Sequence, residues 1–153
     1  LSKHYNLTGA RISFVVGNKA IVEKFKTLRS QIDYGIFLPI QKAAIAALTG
    51  PDDFIEKQRQ EYAKRNCALC GGLRRIGWNV PDSQGTMFVW AKIPKGYASS
   101  FDFCMQLVEK TGLLVTPGSA FGSAGEGYIR MALVDDLPVI GEVLEVLEKS
   151  GMF

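Results

Sequence analysis

Histidine and cysteine are scarce in this sequence, and their scarcity excludes most metal and redox chemistry. The 153 residues include one histidine, His4, and three cysteines. Cys67 and Cys70 have the Cys-x-x-Cys spacing, but no second pair of cysteines or histidines completes a zinc site, and the spacing falls within a helical pattern. We therefore expect no metal site and no His-based catalytic triad, and we expect both thiols to pack in a helix.

The sequence also lacks long apolar runs and any cluster of charge of one sign. No run approaches the roughly 20 apolar residues that cross a bilayer, and no basic run marks a nucleic-acid surface. The 18 basic and 15 acidic residues are spread along a chain that is 47% hydrophobic, which is typical of a globular protein with a buried core. With an odd number of cysteines and no signal peptide, these features predict a soluble cytoplasmic protein with no membrane or nucleic-acid partner.

Short β-branched runs alternate with helical periodicities along the chain. The patterns predict strands at 12–16, 87–91, 113–116 and 128–133, and helices at about 19–32, 39–48, 52–77, 101–110 and 137–149. Helices that alternate with strands indicate an α/β or α+β fold, with helices covering a small sheet. The glycine-rich stretch 118–127 lacks the Gly-Lys-Ser/Thr ending of a nucleotide-binding loop, so we expect a turn there.

The first eleven residues are unusually dense in reactive and polar side chains. The run from Ser2 to Arg11, Ser-Lys-His-Tyr-Asn-Leu-Thr-Gly-Ala-Arg, stands immediately before a predicted strand. A lysine such as Lys3 catalyses covalently by forming an imine with an aldehyde, and an arginine such as Arg11 holds a phosphate through its planar guanidinium. From spacing alone, an ordinary solvated lysine is the more common interpretation. Because the chain opens at Leu1 directly into this run, we also expect that preceding sequence is missing.

The run resembles the Ser-Lys-x-Tyr-x-hydrophobic-x-Gly-x-Arg signature of class I/II aminotransferases, which have the fold type I architecture. The resemblance implies that Lys3 forms the Schiff base with pyridoxal 5'-phosphate (PLP) and that Arg11 binds the cofactor phosphate. Two later segments are also similar to the family, namely Gly85 to Trp90 and the loop Val115 to Gly122. The match is strongest to bacterial aminotransferases of the aspartate, alanine and LL-diaminopimelate types.

Arg130 is the third candidate site residue. Alternation along its strand places Tyr128, Arg130 and Ala132 on one face and an apolar set on the other, so that Arg130 points towards a cleft while the apolar set is buried. A guanidinium matches a carboxylate with two parallel hydrogen bonds. The segment Gly127 to Leu133 resembles the closing strand of the same family, and the resemblance implies that Arg130 binds the substrate α-carboxylate.

The resemblance further implies an α/β chain in two parts: a remnant of the PLP-binding large domain at 1–51 and a small α+β domain at 52–153. It implies amino acid and 2-oxo acid substrates and a homodimeric intact enzyme. The family's upstream Asp, Tyr and phosphate loop are not in these residues, so we expect the 153 residues alone to be inactive. A PLP-dependent C–S lyase, a decarboxylase and a non-catalytic α/β interaction domain remain open as alternatives.

Overall fold

The computed structural model describes all 153 residues. The chain contains five α-helices, three short β-strands and three 3₁₀ turns, joined by loops. The helices are α1 (Lys19–Ser30), α2 (Leu38–Thr49), α3 (Asp53–Arg75), α4 (Ser100–Thr111) and α5 (Leu137–Lys149). The strands are β1 (Phe88–Lys92), β2 (Thr116–Pro117) and β3 (Tyr128–Ala132). None of the helices combines the length and apolar character that a membrane crossing requires.

The chain forms two compact units, Leu1–Lys57 and Gln58–Phe153, and the boundary lies within α3. The expected division after residue 51 concerns the domains of a longer protein and stays a prediction.

The first unit consists of a folded loop followed by two helices. α1 begins where its sequence predicts, because the Asn18 side chain accepts hydrogen bonds from the main-chain N–H groups of Ala20 and Ile21 at 2.9 and 3.4 Å. α2 has Pro39 in its first turn and ends before Gly50. Ala44 is the one buried residue of this unit, so its helices cover almost no core of their own.

The strand predicted at 12–16 is wrong. These residues have no regular secondary structure, and four of them, Ser13, Phe14, Val15 and Val16, are exposed. A β-strand is stabilised by hydrogen bonds to a neighbouring strand, and no neighbour pairs with this segment. A β-branched composition therefore favours a strand, but the strand does not form here because no neighbouring strand pairs with it.

The second unit is built on a three-stranded antiparallel sheet in the order β1-β3-β2. Trp90 and Thr116 both pair with Arg130, from opposite sides of the central strand β3. The predicted strand at 113–116 is mostly wrong, because only its last residue, Thr116, pairs in the sheet, together with Pro117. The strands predicted at 87–91 and 128–133 and the helices predicted at 101–110 and 137–149 are confirmed to within one residue at each end.

One face of this sheet carries the core. The alternating residues Val89, Ala91, Ile129, Met131 and Leu133 are buried on it, and they form one cluster with residues of α3, α4 and α5. Period-two alternation therefore sends the other set of side chains, which includes Arg130, to the opposite face. That opposite face carries the candidate site.

Candidate functional site

The amino-terminal loop folds back on itself around Lys3. The hydroxyl of Thr8 donates a 2.9 Å hydrogen bond to the main-chain carbonyl of Ser2, and the N–H of Tyr5 donates to the carbonyl of Leu1 at 3.0 Å. These bonds fix the backbone on both sides of Lys3, whose side chain is exposed. The loop thus presents an accessible amine on a defined turn.

Arg11 closes the same loop. Its backbone adopts φ 50°, in the left-handed region that non-glycine residues seldom occupy, directly after the 3₁₀ turn Thr8–Ala10. Its guanidinium is exposed and donates through Nη1 to the carbonyl of Thr8 at 3.3 Å. Strained backbone conformations of this kind cluster at functional sites. The loop therefore carries an amine, which can form an imine with an aldehyde, and a guanidinium, which can bind a phosphate group.

Arg130 lies at the centre of the sheet in the second unit, on the face opposite the core. Its neighbours along β3, Ile129 and Met131, are buried, while Arg130 itself is half-buried. The predicted alternation of β3 is thereby confirmed. A half-buried guanidinium keeps donors available to a ligand while it is partly shielded from water.

Two aromatic rings flank the Arg130 guanidinium. Its Cζ lies 4.4 Å from the ring centroid of Phe88 on β1 and 4.7 Å from the ring centroid of Phe121, in the loop between β2 and β3. Both distances are within the range of cation–π attraction. Rings make no strong hydrogen bonds with a guanidinium, so its N–H donors stay available to a planar anion such as a carboxylate.

Two further rings extend this aromatic surface. Trp90 stacks on Tyr128 with ring centroids 5.8 Å apart and meets Phe121 edge-on at 5.6 Å. Trp90 is 40% exposed and Phe121 is 52% exposed, so the surface faces solvent rather than the core. We call the set Phe88, Trp90, Phe121 and Tyr128 the aromatic surface of Arg130.

Phe88 is held in place by the backbone that precedes it. Thr86 adopts φ 69°, an unusual value for a β-branched residue, and its hydroxyl accepts a 3.1 Å hydrogen bond from the N–H of Phe88. The Ser83 hydroxyl donates to the carbonyl of Phe88 at 2.8 Å. Both main-chain groups of Phe88 are thus fixed where β1 begins.

The loop that carries Phe121 is tied to α4 by a carboxylate. Oε1 of Glu126 accepts from the main-chain N–H of Ser100 at 2.6 Å and from that of Gly127 at 2.8 Å. The Ser100 N–H bond is the main cause that lowers the pKa of Glu126 below its ordinary 4.5, and the Gly127 bond adds to it.

The cysteines take no part in this site. Cys70 is buried in α3, where its Sγ donates to Oδ1 of Asn66 at 3.3 Å, and Cys67, three residues earlier, is exposed. Burial raises the pKa of the Cys70 and Cys104 thiols, which disfavours the reactive thiolate. Cys67 and Cys70 both lie in α3 as their spacing predicts, but the expectation that both pack is confirmed for Cys70 and wrong for Cys67, which is exposed.

The structure thus places two of the predicted site residues, Lys3 and Arg11, in one loop of the first unit, and the third, Arg130, in the second unit. Sequence reasoning missed the aromatic surface and Glu126. Alternation alone assigns Phe88 and Trp90 to one face of β1, but only the pairing of Trp90 with Arg130 shows that this is the face of Arg130. Phe121 lies in a loop, where no periodicity applies.

Similarity to characterised proteins agrees with this geometry. The profile of the family "Aminotransferase class I and II" matches residues 1–146. The chain is 46% identical over 152 residues to the LL-diaminopimelate aminotransferase of Halothermothrix orenii, and the matched region covers 99% of this chain and 39% of that protein. It is 41% identical over 138 residues to the glutamate-pyruvate aminotransferase AlaC of Escherichia coli, covering 89% of this chain and 34% of that protein. The chain therefore spans less than two fifths of the length of these two relatives.

Solved structures show the same relationship. An aminotransferase from Staphylococcus aureus superimposes with a TM-score of 0.92 at 33% identity, over 100% of this chain and 41% of that one. An aromatic aminotransferase from Pyrococcus horikoshii superimposes with a TM-score of 0.88 at 28% identity, over 97% of this chain and 40% of that one. The fold is that of the fold type I aminotransferases. The chain belongs to the aminotransferase class I and II family, whose members use pyridoxal phosphate.

Proposed function

We propose that this chain is the carboxyl-terminal part of a PLP-dependent aminotransferase that transfers an amino group from an amino acid to a 2-oxo acid. The observation that carries the proposal is the amino-terminal loop, which presents the Lys3 amine and the Arg11 guanidinium on one bonded turn. Membership of the family supports it. Because the chain spans 39% of the relative from Halothermothrix orenii, the activity is proposed for the whole protein.

Lys3 and Arg11 would hold the cofactor. When bound, pyridoxal phosphate supplies an aldehyde that takes up the amino group and a ring that withdraws electrons from the substrate Cα. Lys3 would hold that aldehyde through its amine, and the same amine would take the proton from the substrate Cα as a base and deliver it as an acid to the cofactor carbon that carried the aldehyde. Arg11 would bind the phosphate, for which a guanidinium is geometrically suited.

Arg130 would bind the α-carboxylate of the substrate. Phe88 and Phe121 lie against its guanidinium, with ring centroids 4.4 and 4.7 Å from Cζ, and limit the directions from which an anion can approach it. A bidentate bond to a carboxylate fixes direction as well as distance, so it strengthens the binding of substrates that carry this group. The role of Arg130 would therefore be to hold the substrate by its carboxylate in one orientation.

Amino-group transfer is favoured over the lyase and decarboxylase alternatives on the same fold, because the characterised relatives are named for transfer to or from LL-diaminopimelate and between glutamate and pyruvate. An assay for pyruvate and ammonia released without an oxo-acid acceptor separates a lyase from an aminotransferase. Release at the rate of transfer would contradict this assignment. For the intact enzyme we also propose a cytoplasmic homodimer, which is a separate point from the reaction type that this assay tests.

The proposal is tested by two substitutions in the intact, PLP-loaded enzyme. Lys3→Ala is expected to abolish turnover, since general acid–base catalysis alone contributes about 10²–10⁴-fold and the covalent route is lost as well. Arg130→Ala is expected to raise KM for amino acids far more than it lowers kcat. Lys19→Ala, at an exposed position at the start of α1, is the matched control. Wild-type activity in either test variant would exclude the assigned role.

Without the rest of the protein, we propose that the 153 residues do not catalyse transamination. The first unit buries one residue and exposes many large apolar side chains, including Phe14, Val16, Ile32 and Phe37. Such exposure favours a second candidate function, association through this unit, since large exposed apolar areas mark interaction surfaces. Size-exclusion chromatography of the 153-residue chain tests it. A monomer at all concentrations would argue against association. Transamination by the 153-residue chain with added PLP would refute the proposal that these residues alone are inactive.

A further inference from the structure

Glu126 joins three parts of the second unit that meet beside Arg130. Its Oε1 accepts from the N–H of Ser100 at 2.6 Å and from the N–H of Gly127 at 2.8 Å, and its Oε2 lies 3.1 Å from the Ser100 hydroxyl. Ser100 is the first residue of α4 and is completely buried. Gly127 immediately precedes β3, the strand of Arg130.

The connection continues from Ser100 into the loop. The Ser100 hydroxyl lies 3.2 Å from the Ser119 hydroxyl and accepts from the Ser119 N–H at 3.4 Å. Ser119 belongs to the 3₁₀ turn Gly118–Phe121, two residues before the ring that covers Arg130. One carboxylate and one buried hydroxyl therefore fasten both ends of the loop that carries Phe121.

The chemistry of this connection favours an ionised carboxylate. The first N–H groups of a helix have no partner within the helix, and the positive end of the helix dipole attracts a negative charge. Charge-assisted bonds from main-chain N–H groups are roughly twice as strong as neutral ones. The lowered pKa of Glu126 has the same cause.

We infer that Glu126 is a positioning residue for Arg130: it fastens the loop of Phe121 to the start of α4, and so keeps the Phe121 ring against the guanidinium. The inference rests on the proposed function, in which Arg130 binds the substrate carboxylate. The effect of Glu126 passes through Phe121, 4.7 Å from the Arg130 guanidinium carbon.

Release of the loop would remove one of the two rings that orient the guanidinium. Arg130 would then sample orientations in which its donors do not face the carboxylate, and substrate binding would weaken. Chemistry at Cα uses Lys3 and would change little once substrate is bound. A positioning role thus predicts a change in KM with little change in kcat.

The test is a double-mutant cycle in the intact, PLP-loaded enzyme, assayed with its best amino donor. Glu126→Ala and Phe121→Leu are each expected to raise KM about tenfold with kcat within about twofold, and the double variant is expected to add little further, as for two residues on one connection. Glu126→Gln keeps one oxygen acceptor for the two main-chain N–H groups and should recover most of the affinity, with KM raised only about threefold. Glu109→Ala, at an exposed position of α4, is the control.

Glu126→Gln also replaces Glu126→Ala in the cycle if the alanine variant does not fold. An unchanged KM in the Glu126 variants, or effects of Glu126 and Phe121 substitutions that multiply, would overturn the inference. Arg130→Ala is assayed in parallel to separate the two proposals. If Arg130→Ala raises KM and Glu126→Ala does not, only the inference fails; if Arg130→Ala has no effect, the carboxylate-binding role of Arg130 fails first.

Discussion

Gly118 and Gly125 lie so close together that neither leaves room for a side chain on the other. A Cβ on Gly118 would overlap the carbonyl oxygen of Gly125 and lie 2.6 Å from that of Tyr128, and a Cβ on Gly125 would overlap the carbonyl oxygen of Gly118. The obstacles are backbone atoms, which cannot rotate away as a flexible side chain can. The loop that brings Phe121 to Arg130 therefore requires glycine at both positions.

Gly118→Ala is expected to destabilise the protein by about 2 kcal/mol or more, since overpacking a closed site costs roughly 1–3 kcal/mol even where side chains can yield. Gly141→Ala is the control, because Gly141 lies on α5 with no atom near a new Cβ, and alanine there should stabilise the helix by about 1 kcal/mol. Urea unfolding of both variants measures the difference. Equal stability of Gly118→Ala and wild type would contradict the close approach.

Two adjacent glycines of α3 provide a second matched pair. A Cβ on Gly72 would overlap Leu144 of α5, with Leu144 Cδ2 at 2.6 Å and Cγ at 2.9 Å, whereas a Cβ on Gly71 would meet nothing within 4 Å. Gly71→Ala is expected to raise the free energy of unfolding by about 1 kcal/mol through helix propensity, and Gly72→Ala to lower it by about 1–2 kcal/mol through overpacking. Thermal unfolding of the two variants in the same buffer gives the comparison. A gain in stability for Gly72→Ala would show that Leu144 moves aside freely.

These glycines also show where sequence reasoning succeeds and where it stops. Gly71 and Gly72 weaken the helical pattern of 52–77, yet α3 continues to Arg75. Gly72 packs against Leu144 of α5, a helix far along the sequence, and no local pattern indicates that contact. In contrast, α5 has the predicted bounds Leu137–Lys149, since its apolar periodicity and Pro138 in the first turn are local signals.

Strands show the same limit more clearly. The segments 12–16 and 113–116 have apolar, β-branched sequences, but pairing depends on residues far along the chain, and a local pattern cannot supply it. At 113–116 the backbone instead bonds locally, with the N–H of Leu113 donating to the Thr111 hydroxyl at 3.1 Å. The face of Arg130 was predictable from period-two alternation, whereas the rings of Phe88 and Phe121 beside it depend on strand register and on the path of a loop.

Arg65 connects α3 to the end of the sheet, and its loss should be costly. Its guanidinium donates to the carbonyls of Leu133 and Val134 at 3.2 and 2.8 Å and forms a 2.6 Å ion pair with Asp136, while the side chain is only 14% exposed. Arg65→Ala is expected to lower the free energy of unfolding by about 1–2 kcal/mol, because hydrogen bonds from a charged donor contribute about 1.5–3 kcal/mol and water replaces part of this at the exposed partners.

Urea unfolding checks this expectation through the midpoint at constant m value. Lys64→Ala is the control: Lys64 is the neighbouring residue on α3, its side chain is 65% exposed and it lies 3.8 Å from Glu61, so its loss should change the free energy of unfolding by less than about 0.5 kcal/mol. Equal effects of the two substitutions would mean that the Arg65 contacts add nothing beyond a surface ion pair.

The lowered pKa of Glu126 predicts how stability depends on pH. The pKa of this carboxyl in the folded protein lies below its ordinary 4.5, chiefly because the Ser100 N–H donates to it. The stabilisation is therefore fully present above the unfolded pKa and is lost as pH falls through the folded value. Urea unfolding of wild type and Glu126→Gln from about pH 7 to about pH 3 should show wild type more stable at neutral pH, with the difference shrinking below the ordinary pKa.

The glutamine variant is suited to this test because it keeps the shape of the side chain and an oxygen acceptor while it removes the charge. Glu109→Gln, on the exposed side of α4, controls for the loss of a surface charge near the same helix. A difference between wild type and Glu126→Gln that stays constant across the pH range, or that grows towards acid, would mean that the ionised carboxylate does not stabilise the start of α4. The loop of Phe121 would then be held to α4 by hydrogen bonds that do not depend on the charge of Glu126, among them those between Ser119 and Ser100.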